Sequence, residues 1–513
     1  MTEQGQFGAF PGHQGVIVPE PMRRFVAGQE RPTGPSMRLP RKLQPSLRGR
    51  LARLFAGTEQ LSTLGKIAFG SLWLLVFAMP WEDAITISGF GTSVRLIGMV
   101  TLGLGALAIF ERGKVRRPAV GHIAMALFVV LGVLSYLWSL YPEGTLIQAF
   151  SYVQLFTMVW LIWELATGVQ EQMHLMRAYV FGTFVSGIDT FYLFLSHQES
   201  VYQRYAGAKL DANDLGLIMA LSIPMSYYLL IQNHGRMVWV YRVHLILAGT
   251  TILLTASRGA TLATVVALTI VPLTQARLGG RQRVALVMTV ILLIGGVLFF
   301  VPETSWERLA TVPTEFEQGT FTGRTIIWKA GWEIFRAHPF FGIGANAFRV
   351  MVSRELAEPI RMGEADPAPP AHNTFLSVLV EQGVLGFAVF CGMLGALAVS
   401  LRGMPPFPQR LWIVSLGVWV VGVSSLTWEM RKPTWFFFGL LMAQCGSIPQ
   451  MLRDAKAFAR PGQNAVGTSA RIMGLGISRH NPGWPLFSWT ISRPRLANGN
   501  HGQSQSSANR STS

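Results

Sequence analysis

Long apolar runs separated by short polar connections dominate the sequence. A helix that crosses the roughly 30 Å hydrocarbon core of a bilayer needs about 20 mostly apolar residues. Runs of this kind lie near 61–80, 94–110, 119–140, 145–166, 173–195, 213–231, 237–256, 258–274, 283–301, 373–400, 409–428 and 432–448. The pattern predicts an all-α, polytopic membrane protein with about twelve transmembrane helices. Residues 237–274 give only about 57 Å of helix at 1.5 Å per residue, so a hairpin around Ser257 needs a very short turn.

The polar segments divide the chain into five regions. Residues 1–60 and 449–513 are rich in Gly, Pro, Ser, Gln and Arg without helical periodicity, which predicts disordered basic tails. Residues 61–301 contain predicted helices one to nine, and residues 373–448 contain predicted helices ten to twelve. The long connection between them, 302–372, is expected to contain an amphipathic helix.

Charge supports the membrane assignment and orients the helices. The 513 residues include 43 Lys+Arg and 26 Asp+Glu, a net charge of +17, yet only 13% are charged, against about 25% in an ordinary soluble domain. Most basic residues lie in the tails and in alternate connections, which is typical of cytoplasmic loops rather than of a nucleic-acid surface. Both termini are therefore predicted to be cytoplasmic and the 302–372 connection extracytoplasmic. The cations that contradict this rule are Arg204, Lys209, Arg258, Arg431 and Lys432.

Two of these exceptions have a setting that suggests chemistry. Arg204 stands between two tyrosines, shortly before Asp211 and Asn213, either of which can cap the next helix. Arg258 lies in the short turn that begins a predicted helix. An arginine beside a helix N-terminus suits a phosphate or pyrophosphate, although a lone arginine there can also reach lipid phosphates.

The long connection contains the pattern of an amphipathic helix. Arg324 opens it, and Thr325 to His338 read as an amphipathic helix that lies on the outer membrane surface and ends at Pro339. Its charged face has Lys329, Glu333 and Arg336. Its other face has Trp328, Trp332 and Phe335, as a membrane anchor or a packing face.

His372 and Glu381 mark the start of the tenth run. His372 comes directly before it, where Asn373 can cap the helix, and is either an interface residue or a proton acceptor. Glu381 lies about 12 Å further along the helix, a depth at which ionisable groups are usually functional. Nine residues at about 100° each put the two on opposite sides if the helix includes His372, so they need not share one site. Glu381 can instead orient a neighbouring helix or a basic partner.

Several short motifs occur in a recognisable order. They are Arg204-x-x-Gly207 with Asn213, Thr255-x-Ser257-Arg258-Gly259, Gly323-Arg324-x-x-x-Trp328, His338-Pro339-x-x-Gly342-x-Gly344-x-x-x-Phe348, His372-Asn373-x-x-Leu376 and Glu381-x-Gly383-x-x-Gly386. Together they resemble the shared core of the O-antigen ligase and O-antigen polymerase superfamily, over roughly residues 61–448. The sequence departs from the family pattern at Asp211-Ala212-Asn213, where Asn-Pro-Asn is more usual.

The resemblance implies a metal-independent glycosyltransferase of the inner membrane with no cofactor. Its donor would be an undecaprenyl-pyrophosphate-linked saccharide on the periplasmic side. Ligases of the family pass the glycan to lipid A–core, whereas polymerases of O-antigen or exopolysaccharide pass it to another lipid-linked repeat unit. By resemblance, Arg204 and Arg258 act at the donor pyrophosphate and His372 at the acceptor hydroxyl. The residues expected to bind substrate in support are Arg324, Glu381, Asn373 and Asn213.

Two other classes of function stay open at this point. A twelve-helix secondary transporter would place its site on broken helices at the midplane of two related halves, whereas here the long connection is off-centre and charged residues collect at the outer surface. A non-catalytic assembly partner of a polysaccharide export system would tolerate loss of His372. The motifs are common to ligases and polymerases, so they leave that choice, the sugars and the oligomeric state open.

Overall fold

The computed structural model is almost entirely helical where it describes the chain. It describes residues 61–87, 91–197, 204–274, 324–356 and 370–449, with the single residues 280, 281, 284 and 288. All of them belong to the unit Phe55–Ser513. The predicted tails, apart from Pro449, and the predicted ninth helix, apart from Val284 and Met288, lie outside the described residues.

The helices before residue 275 follow the predicted runs. They are α1 (Thr63–Ala78), α2 (Ser93–Arg112), α3 (Val120–Leu134), α4 (Pro142–Leu165), α5 (Val169–Leu195), α6 (Ala212–Gln232), α7 (Arg236–Leu254), α8 (Arg258–Leu268) and α9 (Ile270–Thr274). Between α1 and α2 the strands β1 (Thr86–Ile87) and β2 (Gly91–Thr92) pair antiparallel.

The helices after residue 323 include two that lie in the predicted long connection. They are α10 (Arg324–Ala337), α11 (Phe348–Glu355), α12 (Thr374–Ser400), α13 (Pro406–Val423) and α14 (Lys432–Gly446). Short 3-10 turns extend α1, α3 and α12 at Met79–Trp81, Ser135–Leu137 and Leu401–Gly403.

Eight helices in the described part of the chain are long and apolar enough to cross a membrane. With their 3-10 extensions they are Thr63–Trp81, Ser93–Arg112, Val120–Leu137, Pro142–Leu165, Val169–Leu195, Ala212–Gln232, Arg236–Leu254 and Thr374–Gly403. Residues Arg258–Thr274 form a shorter apolar pair of helices. An all-α protein with several candidate membrane spans is therefore confirmed, whereas the count of twelve stays a prediction.

Short connections make neighbouring helices antiparallel and sort their ends into two groups. At one end, named here the arginine-rich end, Arg112 and the backbone amide of Arg116 bind the Glu164 carboxylate, and Arg410 Nη1 donates to Leu273 O at 2.6 Å. The other end, where α6, α8 and α12 begin, is named the site end. The predicted tight hairpin is present, because only three residues separate α7 from α8 and Ala256 in that turn has φ 48°.

Helix α12 is interrupted at Gly383, which the unbroken apolar run did not predict. Gly383 has φ 65° and ψ −170° inside the helix. Backbone groups freed on both sides bind the segment before α11: Val380 O and Glu381 O accept from Ile343 N and Gly344 N at 3.2 and 2.9 Å, and Val384 N and Leu385 N donate to Pro339 O and Phe340 O at 2.8 and 3.2 Å. Unsatisfied backbone groups are costly in a membrane, so the hydrogen bonds from the segment before α11 stabilise the break. A Cβ on Gly342 or Gly383 would overlap the opposite backbone.

The partner of that break, residues 338–347, is named the inserted segment. It also contacts the connection between α3 and α4, where Leu140 N donates to Ile343 O at 2.9 Å and Ala345 N donates to Ser135 Oγ at 3.1 Å. The described part of the predicted long connection is therefore two helices joined by a segment that packs into the bundle.

The amphipathic helix has the predicted extent but a different packing face. The side chains of the predicted charged face are exposed, and within that face Arg336 pairs with Glu333 at 3.2 Å. Its buried side chains are the small and aliphatic Ile327, Ala330 and Ile334. The predicted aromatic face is only partly buried, because Trp332 is half exposed.

Candidate active site at the site end

The first two sequence motifs form one hydrogen-bonded unit. Arg204 Nη2 donates to Asn213 Oδ1 at 2.8 Å, and Ser257 Oγ donates to the same oxygen at 3.0 Å. Arg204 Nε also donates to the carbonyl of Thr255 at 2.8 Å. Asn213 therefore joins a connection before α6 to the hairpin before α8. These residues, with Arg258, are named the arginine half of the site.

Local turns explain why Asn213 is available for this contact. Asp211 is the N-cap of α6, and its Oδ1 accepts from Asn213 N at 2.8 Å. Capping satisfies the first turn of the helix with the Asp211 carboxylate and leaves the Asn213 amide to face its neighbours. Of the two predicted capping residues, the structure uses Asp211.

The segment with Arg204 is anchored to the ends of α5 and α7. Gly207 N donates to Thr190 Oγ1 at 2.9 Å, and a Cβ on Gly207 would lie 2.6 Å from Thr190 N. Tyr205 N donates to Leu254 O at 3.0 Å. The glycine of the Arg204-x-x-Gly207 motif thus allows the chain to lie against α5, which fixes the backbone that presents Arg204.

Arg258 is the first residue of α8 and is partly buried. Ser257 caps this helix, since its Oγ accepts from Ala260 N at 3.4 Å. Gly216 permits close packing of α6 and α8, because a Cβ there would lie 2.5 Å from that of Ala260. The positive ends of two helix dipoles and two guanidinium groups therefore lie at the site end, an arrangement that favours an anion.

His372 stands just before α12 on a backbone with φ 47°. The carbonyl of the preceding Ala371 accepts from Trp328 Nε1 of α10 at 2.8 Å. Asn373 caps α12, and its Oδ1 accepts from Leu376 N at 3.1 Å. Since α12 begins only at Thr374, the angular comparison with Glu381 does not extend to His372. Residues His372, Asn373, Arg324, Trp328 and Glu381 are named the histidine half.

The surroundings of His372 favour a neutral imidazole. Burial lowers the pKa of His372 to about 4, Arg324 and Arg349 lower it too, and Asp211 opposes them. The imidazole is therefore unprotonated near neutral pH and can accept a proton. Asp211 is also the N-cap of α6, the helix that contains Asn213. Its charge raises the pKa of His372, so Asp211 couples the arginine half electrostatically to the histidine half.

Within the histidine half, Glu381 binds backbone of α11. Its carboxylate is buried, and Oε1 accepts from Phe348 N, the first residue of α11, at 3.2 Å. The glutamate thus holds the end of the inserted segment against α12. Its expected role in binding substrate stays a prediction.

Arg431 and Lys432, which also contradict the charge rule, bind carboxylates at the site end. Arg431 pairs with Asp214, and Lys432 pairs with Glu82. Among the residues that the structure describes, no group of three or more His, Cys, Asp or Glu side chains is arranged to hold a metal ion.

Sequence reasoning missed Asp214, Trp428 and Arg349 as parts of this region. Asp214 had a visible signal, a carboxylate in the first turn of an apolar helix. Trp428 had none, because its partner Asp214 is 214 residues away in the chain. Arg349 follows the Gly-rich motif directly, and only the fold brings its charge near His372.

Comparison with known families agrees with the motifs. Residues 243–391 match the family described as O-antigen ligase. This confirms the resemblance to the O-antigen ligase and polymerase superfamily. The matched region includes Arg258, Arg324, His372 and Glu381 but not Arg204 or Asn213. No curated protein sequence matches the chain significantly.

Proposed function

We propose, from the match of residues 243–391 to the O-antigen ligase family, that this membrane protein is a glycosyltransferase of surface-polysaccharide assembly. It lies in the bacterial inner membrane with cytoplasmic termini and a periplasmic site. The donor is an undecaprenyl-pyrophosphate-linked glycan. The acceptor is lipid A–core, in a ligase, or another lipid-linked repeat unit, in a polymerase. Neither a metal ion nor a cofactor takes part.

The observation that supports this most directly is the arginine half. Arg204 donates to two oxygens, Asn213 Oδ1 and Thr255 O, and these two bonds position the guanidinium. Departure of the glycan leaves negative charge on the lipid pyrophosphate. Fixed guanidinium groups and helix N-termini stabilise such charge as it develops.

The histidine half supplies the proton acceptor. Neutral His372 takes the proton from the attacking sugar hydroxyl as that oxygen forms a bond to the anomeric carbon. The bond between the anomeric carbon and the phosphate oxygen breaks, and its electron pair leaves with undecaprenyl pyrophosphate. A bound pyrophosphate raises the pKa of His372 by its negative charge, so donor binding strengthens the base.

The experiment is complementation of a deletion strain, with the glycans separated on a gel. Wild-type protein is expected to restore the polysaccharide, whereas R258A and H372A, inserted at normal levels, are not. R336A is the matched control, because Arg336 is an exposed arginine of α10 paired with Glu333. Normal glycans from R258A and H372A would overturn the proposal.

The deletion phenotype also separates the two acceptors. Full-length chains that are not attached to lipid A indicate a ligase. Single repeats on lipid A, or loss of an exopolysaccharide, indicate a polymerase.

The break in α12 favours a transporter as a second candidate. Transporters use such breaks to bind substrate at the midplane. Here four backbone groups beside Gly383 are bound by the inserted segment, so those groups are already occupied. Uptake of a labelled lipid-free glycan into proteoliposomes that contain the wild-type protein would support transport instead.

A further inference from the structure

One short segment contacts the first turns of α6, α8 and α12, three helices that begin beside proposed site residues. It is Ser424 to Arg431, between α13 and α14, and is named the bridge segment. It lies outside the matched region 243–391. Its contacts are to the first turns of α6, α8 and α12, next to Asn213, Arg258 and His372 respectively.

The contact with α12 is made through a buried hydroxyl. Thr374 Oγ1 donates to Leu426 O at 2.8 Å and accepts from Trp428 N at 2.8 Å. Thr374 is 0% exposed. Both hydrogen-bonding functions of this hydroxyl are thus used by the bridge segment, two residues after His372.

The contact with α6 is made through a buried carboxylate. Trp428 Nε1 donates to Asp214 Oδ1 at 2.7 Å, and Arg431 donates to Asp214 Oδ2. Trp428 is 1% exposed and Asp214 is 6% exposed. Hydrogen bonds to a buried carboxylate are stronger than bonds between neutral groups, so they fix the first turn of α6 beside Asn213.

The contact with α8 is steric. A Cβ on Gly259 would overlap the Ser425 hydroxyl, so the glycine after Arg258 lets the Ser425 side chain lie against the start of α8. The bridge segment is itself held from α14, because Thr434 Oγ1 donates to Trp428 O at 2.9 Å and Trp435 Nε1 donates to Glu429 O at 2.7 Å.

We propose that the bridge segment sets the spacing between the arginine half and the histidine half, with Trp428 as its main positioning residue. The inference rests on the proposed function. Trp428 bonds α12 through its backbone N–H and α6 through its indole N–H, so a single rigid residue spans the two. For transfer, the acceptor oxygen must come close to the anomeric carbon of a donor that the arginines hold. A misplacement of about 1 Å can cost roughly 100-fold in rate.

The test measures kcat and KM for transfer by the full chain reconstituted in nanodiscs. W428F keeps an aromatic side chain, with a six-membered ring in place of the indole, but loses the indole N–H, and T374V replaces the hydroxyl by a methyl of similar size. Each is expected to lower kcat by roughly 10- to 100-fold, with KM for donor and acceptor within about twofold of wild type because no contact to either substrate is removed. T374S, which keeps the hydroxyl, is expected to restore most of kcat.

W412F is the matched control for loss of a buried indole bond. Trp412 is 1% exposed, and its Nε1 donates to Gln444 Oε1 at 2.6 Å within α13 and α14, away from the bridge segment. W412F is expected to have normal kcat even where its thermal stability falls as much as that of W428F. Equal loss of kcat in both variants, or normal kcat in W428F and T374V, would overturn the positioning role.

The design separates this inference from the function on which it rests. If the wild-type chain transfers no glycan, the proposed function fails. If wild type is active and the bridge variants match it, only the positioning role fails. Should W428F not fold, the pair T374V and T374S decides, because T374V keeps the shape of threonine without its hydroxyl and T374S keeps the hydroxyl.

Discussion

The two halves of the site are built in different ways. In the arginine half, side chains of separate motifs bind one another, with Asn213 Oδ1 accepting from both Arg204 and Ser257. In the histidine half, the motif side chains bind backbone: Trp328 holds the Ala371 carbonyl, and Glu381 holds the Phe348 amide.

This difference separates residues that act on a ligand from residues that shape the chain. The arginine half presents charge directly, so we expect its substitutions to change the chemistry and leave the fold intact. The histidine half presents one imidazole on a backbone set by its neighbours, so most of its substitutions should act through folding or geometry.

The largest effect is expected from Arg204. R204A removes a positioned guanidinium and should lower glycan transfer roughly 100-fold or more, the cost typical of losing one preorganised donor to a developing anion. R204K should recover only part of the rate, because an ammonium group cannot reproduce the fork that binds Asn213 and Thr255 together. Transfer in inner-membrane vesicles, normalised to inserted protein, measures this. If R204A greatly lowers the amount of inserted protein, Arg204 also supports the fold, and the proposed difference between the two halves is wrong.

The next largest effect is expected from Gly383, through stability. G383A puts a side chain at φ 65° and against the Phe340 carbonyl, which should cost about 1–3 kcal/mol from the backbone conformation alone. We expect the folding equilibrium constant to fall roughly tenfold, seen as a lower temperature for loss of monodispersity in detergent. G392A, in the same helix with no atom within 4 Å of a Cβ, should match wild type. Equal stability of the two variants would contradict the observed break.

A smaller effect is expected from Trp328. W328F keeps an aromatic side chain but loses the indole N–H, and with it the hydrogen bond to the Ala371 carbonyl at 2.8 Å. A bond of this kind is worth about 0.5–1.5 kcal/mol. Transfer should fall about two- to tenfold because the backbone before His372 loosens. W332F is the control, since Trp332 is half exposed and its contact with the Phe335 ring survives the change. If W332F loses as much transfer as W328F, the bond to Ala371 has no special role.

The smallest effect is a displacement of the acid limb of the pH profile of kcat/KM, which reports groups in the free enzyme. Transfer is lost as His372 gains a proton, so the limb follows the pKa of His372, which burial and Arg324 lower and Asp211 raises. R324Q removes a cation, should raise this pKa and should move the limb to higher pH. D211N removes an anion, should lower the pKa and should move the limb to lower pH, while asparagine still caps α6. Limbs that move in the same direction would show that His372 is not the group that titrates.

Most of the fold could be predicted because a membrane helix is a local property. The apolar runs near 61–80 and 213–231 become helices within a few residues of the predicted ends, and the hairpin at Ser257 has the short turn that its length required. The break at Gly383 could not be predicted from the same criterion, since an apolar run does not show where backbone bonds pass to another segment. The sequence indicates this break only through the two motifs that contain Gly342 and Gly383.

The site was predictable as a set of residue types but not as an arrangement. Arg204 and Arg258 attracted attention because they contradict the charge rule, and so did Arg431, yet only the fold shows that Arg431 pairs with Asp214. Asn213, expected to bind substrate, is the acceptor that organises the arginine half. Contacts between residues 44 to 217 positions apart depend on how helices pack, and hydropathy contains no such information.

The inserted segment limits how this protein can exchange parts with its relatives. Both sides of the break in α12 lie within residues 243–391, the region that matches the family. The segment that fills it also depends on Ser135 and Leu140, encoded about 100 residues before that region. A chimera that transplants 243–391 alone would therefore bring Ile343 and Ala345 against foreign partners. Exchange that keeps the protein intact must include the end of α3 and the bridge segment as well.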